Sequence, residues 1–304
     1  MSGFVETIDK LRALKLSEYP VVEIKKLLSD FGRVGVIVMT LHKGKTIMRA
    51  RPNEPNETFK TISELSFKPS GFNKTYQRAS TPLTTMFYGY LVPENIENGE
   101  LDNARVTAVF EASKLYRKGI ENGEEKITFS RWTVTNDIPL IAIVYNQDFV
   151  KSSSHTNELY MAYQSFLQQN NPSDVLKSNA ITEFLASEFA KSETPNDFDY
   201  LISALYSELV VQKGYGGVYY PSVRAEGKGF NVAIHPDFVE SCMIPIVAGE
   251  CSLYKKGKHI VLDNDTITEI DLGQTEIKFE PITDTTRHSG REICYKVLNN
   301  EIKI

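Results

Sequence analysis

At 304 residues the chain has room for one large domain or two ordinary ones, and with 41% apolar and 24% charged residues it can bury a real core. Its formal net charge of −5 argues against general phosphate-backbone binding, which needs a basic face, but leaves room for a local cationic pocket. Cys242, Cys251 and Cys294 are odd in number and have no CxxC spacing, so free thiols in a reducing cytoplasm are expected rather than a disulfide framework or zinc knuckle.

The opening residues lack the apolar run of a signal peptide. No stretch approaches the ~20 apolar residues of a membrane span. These patterns predict a cytoplasmic protein with neither nucleic acid nor membrane as partner. In chain order, Phe4, Ile8 and Leu11 follow helical spacing, as do Ile24, Leu27, Leu28 and Phe31 with Gly32 as a stop, which predicts a helical hairpin over the first thirty or so residues. The β-branched run VGVIVMT predicts a strand or buried segment. From about Lys45 to Tyr145 the runs TIMRAR, TTMFYGY, ARVTAVFEA, ITFSRWTV and IPLIAIVY all read as strands, joined by acidic connections at ENIENGELDN and RKGIENGEEK.

A switch to helices follows. Ser173 and Asp174 precede a run with Ile181, Phe184, Leu185 and Phe189 on one face, and Asn196 and Asp199 are candidate caps for the next. GYGG (214–217) lies between a helix and a strand, so it reads as a helix stop. A dinucleotide-binding glycine loop has the opposite order, strand then helix. GVYY and FNVAI read as strands, and the last sixty residues as a β-rich tail. The fold class expected is α+β with terminal extensions.

The chemistry-bearing residues cluster at strand ends. In MRARP, Arg49 and Arg51 share a strand face that Pro52 terminates, and Arg78 precedes a loop that enters the strand of Phe87 and Tyr88. Two guanidinium forks there suit a diphosphate, although a solvated strand face explains either arginine alone. Tyr88 shares a face with Met86 and Tyr90 and offers a flat wall for a heteroaromatic ring, or else a core tyrosine. Its neighbour Gly89 lets a ligand or another strand come close. Glu111, closing RVTAVFE, is a loop carboxylate or a group that stabilises an oxocarbenium-like sugar. Ser222, after GGVYYP, is a turn residue or a hydroxyl reaching into a cleft. The five histidines show no metal-ligand spacing, so no metal is expected.

In order and context these pieces resemble the RES family, named for its Arg, Glu and Ser. The matching segments are MRARP with Arg49, QRASTPLTTMFYGY with Arg78 and Tyr88, VFEA with Glu111, YGGVYYPS with Ser222, and FNVAI with Asn231, spanning about residues 45 to 236. The chain departs from the family pattern at Gln77, Ser80 and Gly216, and after Pro82.

The resemblance implies an ADP-ribosyltransferase-like strand core with flanking helices. It divides the chain into an N-terminal helical extension (1–40), an NAD-binding catalytic domain (41–240) and a β-rich C-terminal extension (241–304). It implies NAD+ as substrate and cleavage of the nicotinamide–ribose bond by hydrolysis or phosphorolysis, as in bacterial toxins and defence effectors. A cognate antitoxin or regulatory protein would be the partner. By resemblance Arg49 and Arg78 hold the diphosphate or the nicotinamide ribose, and Tyr88 packs on the nicotinamide. Glu111 stabilises the developing cation, Ser222 positions the ribose, and Asn231 joins the binding set; Glu111, Arg49 and Ser222 form the catalytic group. ADP-ribosyl transfer to a protein or a nucleotide-metabolism target is the alternative, and a binding module without turnover is another. The two extensions leave open partner docking, a homo-oligomer or restriction of the pocket.

Overall fold

The computed structural model describes residues 3–69, 71–92, 103–143, 147–192 and 194–283, with Lys296 and Asn299. ENIENGELDN falls outside them except Asn103, as does Cys294; Cys242 is a free thiol, and Cys251 is buried.

Helices α1 (Gly3–Ala13) and α2 (Val21–Asp30) form the expected hairpin, and Gly32 beyond α2 has φ +62. Strands β1 (Ile37–Leu41), β2 (Thr46–Pro52) and β3 (Phe87–Leu91) come next. Then follow α3 (Ala104–Ala112), α4 (Lys114–Arg117), β4 (Asn122–Val134) and β5 (Ile138–Ala142). The helical stretch comprises α5 (Gln147–Ser152), α6 (Ser154–Leu167), α7 (Pro172–Phe189) and α8 (Leu201–Gln212). Strands β6 (Gly217–Pro221) and β7 (Phe230–Ile234), helix α9 (Pro236–Cys242), and strands β8 (Met243–Lys256), β9 (His259–Asn264), β10 (Thr266–Glu269) and β11 (Glu280–Pro281) complete the fold. No described helix is long and apolar enough to cross a membrane.

The fold is α+β. The described strands form one eleven-stranded sheet in the order β1-β5-β6-β7-β3-β2-β4-β8-β10-β11, with β9 on β8. Every pairing is antiparallel except β5 with β6. Strand β8 pairs with β4 from Asn122–Lys256 to Val134–Met243, so the C-terminal strands extend the central sheet.

Alternation sorts the sheet into two faces. Ile47, Phe87, Leu91, Tyr219, Phe230, Val232 and Ile234 build the largest core on one face. The other face carries two helix groups. One is α7 and α8, whose Phe189 and Val210 pack on Met86, Val218, Tyr220 and Ala233. The other is α3, whose Ala108 and Val109 pack on Ala50, Tyr90, Ile127 and Phe129. The α1–α2 hairpin in turn covers Ile181, Phe184 and Leu185 of α7 and Leu201, Ile202 and Leu205 of α8. Each Val, Leu, Ile, Phe or Met side chain among these contributes about 1.5–3 kcal/mol when taken from water.

Start signals explain α7 and α8. Asn171 caps α7 by accepting from Asp174 N, with Pro172 in the first turn. Asn196 and Asp199 form a capping box on a short 3-10 turn that leads into α8.

One expected strand is a helix. ARVTAVFEA alternates apolar and polar residues, yet it forms α3, capped by Asn103, whose side chain accepts from Arg105 N. Ala104, Ala108 and Ala112 recur every fourth residue and give the helix a narrow face for close packing on the sheet. That packing outweighs the β propensity of Val106, Thr107 and Val109. RKGIENGEEK also differs in part, because β4 begins within it at Asn122.

Candidate active site

Between the two helix groups, the sheet face is left uncovered over β2, β3, β6 and β7. A cavity of about 400 Å3 lies there, within the range of small-molecule sites. Ala50, Tyr88, Tyr90, Tyr220 and Asn231 supply its floor, α3 and α4 one wall, and Arg78 with Tyr200 the other.

Glu111 is central. As the eighth residue of α3 it lies one turn beyond buried Thr107 and Ala108, on the side that meets the sheet. Its Oε1 accepts from Ser222 Oγ at 2.5 Å and from Asn231 Nδ2 at 3.3 Å. Ser222 is 0% exposed and Asn231 4% exposed. The carboxylate can only accept, so the amide nitrogen of Asn231 must face it, which leaves Asn231 Oδ1 buried without a partner. An orphan acceptor beside a carboxylate, in a cavity wall, is a place for a hydroxyl donor from a ligand.

Ser222 does two things. Besides donating to Glu111, its Oγ accepts from Ala225 N at 3.0 Å, and Gly227 N donates to Ser222 O at 2.8 Å. These bonds fold residues 222–227 into a tight turn directly after β6.

Arg49 sits where a ladder stops. β2 pairs with β4 along its whole length but meets β3 only at Met48–Tyr90. The Tyr88 carbonyl on the open side of β3 accepts instead from Arg49 Nη1 at 2.7 Å, and the guanidinium lies 5.0 Å from the Phe87 ring centroid. Arg49 Nε is buried without a partner. Desolvation brings this guanidinium down to about 10, so it stays charged at neutral pH. Its neighbour Arg51 turns away, 4.2 Å over Phe59 and paired with Glu57 at 3.2 Å.

Gly89 fits this junction because the neighbouring strand, not a ligand, comes close to it: a Cβ there would lie 2.3 Å from Ile47 Cγ2.

Arg78 is committed to the fold. Its Nη1 donates to the Phe189 carbonyl and its Nη2 to the Lys191 carbonyl at 2.9 Å, tying the loop before β3 to the C-terminus of α7. Its guanidinium also lies 5.3 Å from the Tyr200 ring centroid. Tyr88 is tied to the same loop, its hydroxyl accepting from Ala79 N at 3.0 Å and lying 2.9 Å from Ser80 Oγ. Burial pushes the Tyr88 phenol up to about 12 and holds those of Tyr90 and Tyr220 well above their ordinary range. All three tyrosines are therefore neutral at physiological pH.

Arg49, Arg78, Tyr88, Glu111 and Asn231 thus line one cavity, with Ser222 hydrogen-bonded behind Glu111. Sequence reasoning missed Lys114, Arg117 and Arg224, which also line it. Their only signal was position, three and six residues after Glu111 and two after Ser222. Among the described residues Glu111 is the one carboxylate of this lining. The cavity is therefore cationic within an acidic chain, a setting that draws in anionic ligands. Among the described residues no group of three or more His, Cys, Asp or Glu side chains converges as a metal site. Comparison with protein-family models finds no match to the chain, and comparison with curated proteins finds no significant relative.

Proposed function

We propose that the chain cleaves the nicotinamide–ribose bond of NAD+ in this cavity. The observation that carries the reading is the Glu111 carboxylate, held by the buried donors Ser222 and Asn231, opening onto a cationic pocket with a tyrosine floor. Breaking an N-glycosidic bond to a pyridinium needs little acid catalysis, because the bonding pair leaves to a cationic ring that becomes neutral nicotinamide. The protein must orient the sugar, stabilise positive charge at its anomeric carbon and admit a nucleophile. Glu111 supplies the negative charge, with Ser222 and Asn231 fixing the carboxylate in place. Asn231 Oδ1 accepts from a ribose hydroxyl. Water then bonds to the anomeric carbon and loses a proton to solvent, giving ADP-ribose; inorganic phosphate in its place gives the 1-phosphate.

The order of Arg49, Arg78, Tyr88, Glu111, Ser222 and Asn231, similar to the RES family, supports the same reading. So does a sheet flanked by helices, which on this proposal is an ADP-ribosyltransferase-like core over residues 41–240. Residues 1–40 and 241–304 then flank the catalytic unit as surfaces for a second copy or an antitoxin-like regulator, in the cytoplasm.

The test is purified protein with NAD+, with and without phosphate, following nicotinamide and the ribosyl product. Free ADP-ribose is expected without phosphate. Label transferred to protein would make the chain a transferase, and no nicotinamide release under either condition would end the enzyme reading.

A further inference from the structure

A dinucleotide presents its diphosphate to whichever cations have donors to spare. Both terminal nitrogens of Arg78 are bound to main-chain carbonyls, and Arg49 has one on the Tyr88 carbonyl and its Nε shut in. Lys114 is paired with Glu54 at 2.6 Å. Of the five basic side chains that line the cavity, only Arg117 and Arg224 have neither a hydrogen bond nor an ion pair from their side chains among the described residues.

Their placement is tied to the reacting cluster. α3 ends at Ala112, Ser113 caps α4 by accepting from Tyr116 N at 3.2 Å, and Arg117 is the last residue of that single turn. Ser113 is itself fixed, donating to Glu125 Oε2 at 2.6 Å. Arg224 sits in the turn that Ser222 Oγ closes through Ala225 N. The Glu111–Ser222 hydrogen bond therefore joins the two segments that carry these arginines, and both residues line the same cavity.

We propose that Arg117 and Arg224, rather than Arg49 and Arg78, grip the diphosphate of the dinucleotide, with their forks engaging its oxygens from the α4 side and the β6–β7 turn side. Arg78 then acts as a structural clamp and Arg49 lines the pocket beside Tyr88. The assignment rests on the dinucleotide part of the function proposed above. It also places the diphosphate next to Glu111 and Ser222, where gripping it aligns the adjoining ribose with the carboxylate.

ADP-ribose and inorganic pyrophosphate are the probes, titrated calorimetrically into the full chain. Arg117→Ala and Arg224→Ala are each expected to weaken ADP-ribose binding about 10- to 100-fold, the loss typical of a charge-assisted hydrogen-bond pair. Their melting temperatures should stay at the wild-type value, since neither side chain has a partner to lose among the described residues. Pyrophosphate should displace ADP-ribose from the wild type and not bind the double variant. Arg78→Ala is expected to behave in reverse, with a lowered melting temperature. Wild-type ADP-ribose affinity in both single variants would overturn the assignment, as would a wild-type protein that binds neither probe. ADP-ribose binding through these arginines without nicotinamide release would remove the glycosidic chemistry and leave the assignment standing. NAD+ cleavage with an unchanged KM in the double variant would do the opposite.

Discussion

Ser222 Oγ donates to Glu111 Oε1 across 2.5 Å, linking the turn after β6 to the helix that packs on β2. The two residues are 111 positions apart, and the bond closes one side of the cavity between α3 and the α7–α8 pair. Because Asn231 also donates to Glu111 Oε1, the carboxylate is held by two buried donors while its second oxygen has no hydrogen bond among the described residues. A carboxylate fixed in this way offers its free oxygen to a developing cation without reorganising.

Glu111→Gln removes the charge and keeps an amide oxygen that can accept from Ser222 and Asn231. Nicotinamide release should fall by a factor of roughly 100–1,000, the scale of losing one electrostatic stabiliser, with the melting temperature little changed. A wild-type rate in this variant would remove Glu111 from the reaction.

Ser222→Ala removes the donor to Glu111 and the acceptor for Ala225 N at a site that is 0% exposed. Leaving buried groups unsatisfied costs about 1–3 kcal/mol each. The melting temperature should drop measurably, and KM for NAD+ should rise as the turn carrying Arg224 loosens. Restoration by Ser222→Thr would assign the effect to the hydroxyl.

Much of this was legible in the chain. The hairpin of α1 and α2, the strands carrying Arg49 and Tyr88, and helices α7 and α8 follow from apolar spacing, Asn196 ahead of α8 and glycine at stops, whereas α7 starts at Pro172, so Ser173 and Asp174 lie inside it rather than before it. Glu111 reads from sequence as a strand residue because Val106, Ala108 and Phe110 alternate, whereas the every-fourth alanine pattern of the same segment is the one that makes α3. The partners of Arg78 could not be read from sequence at all. Phe189 and Lys191 lie more than a hundred residues away, and only the packing of α7 on the sheet brings their carbonyls to the guanidinium. The same long-range closure puts Arg117 and Arg224 in one cavity.

Gly89→Ala tests the junction of β2 and β3. The added Cβ would lie 2.3 Å from Ile47 Cγ2, and Ile47 is fully buried in the main core, so the side chain or strand must shift. Overpacking of this kind costs about 1–3 kcal/mol. Chemical denaturation should show that loss, and Ile47→Ala, which removes Cγ2, should cost less in the Gly89→Ala background than in the wild type. Full stability in Gly89→Ala would mean that the two strands adjust freely where Arg49 bonds Tyr88.

Glu188, 8% exposed near the end of α7, gives a pH test of the wall that Arg78 clamps. Burial raises its carboxyl above the ordinary range, and the facing cations Lys191 and Arg12 offset this only in part. With the folded value above the unfolded one, the folded state holds more protons between the two, so stability falls as pH rises across that window. Glu188→Gln should match the wild type at pH values below the unfolded carboxyl range and exceed it at neutral pH, where the wild type carries a poorly solvated charge. Melting curves from pH 4 to pH 8 provide the measurement, and they should diverge upward with pH. A variant less stable than wild type at neutral pH would show instead that the ion pair with Lys191, three residues along at the same end of α7, outweighs the desolvation.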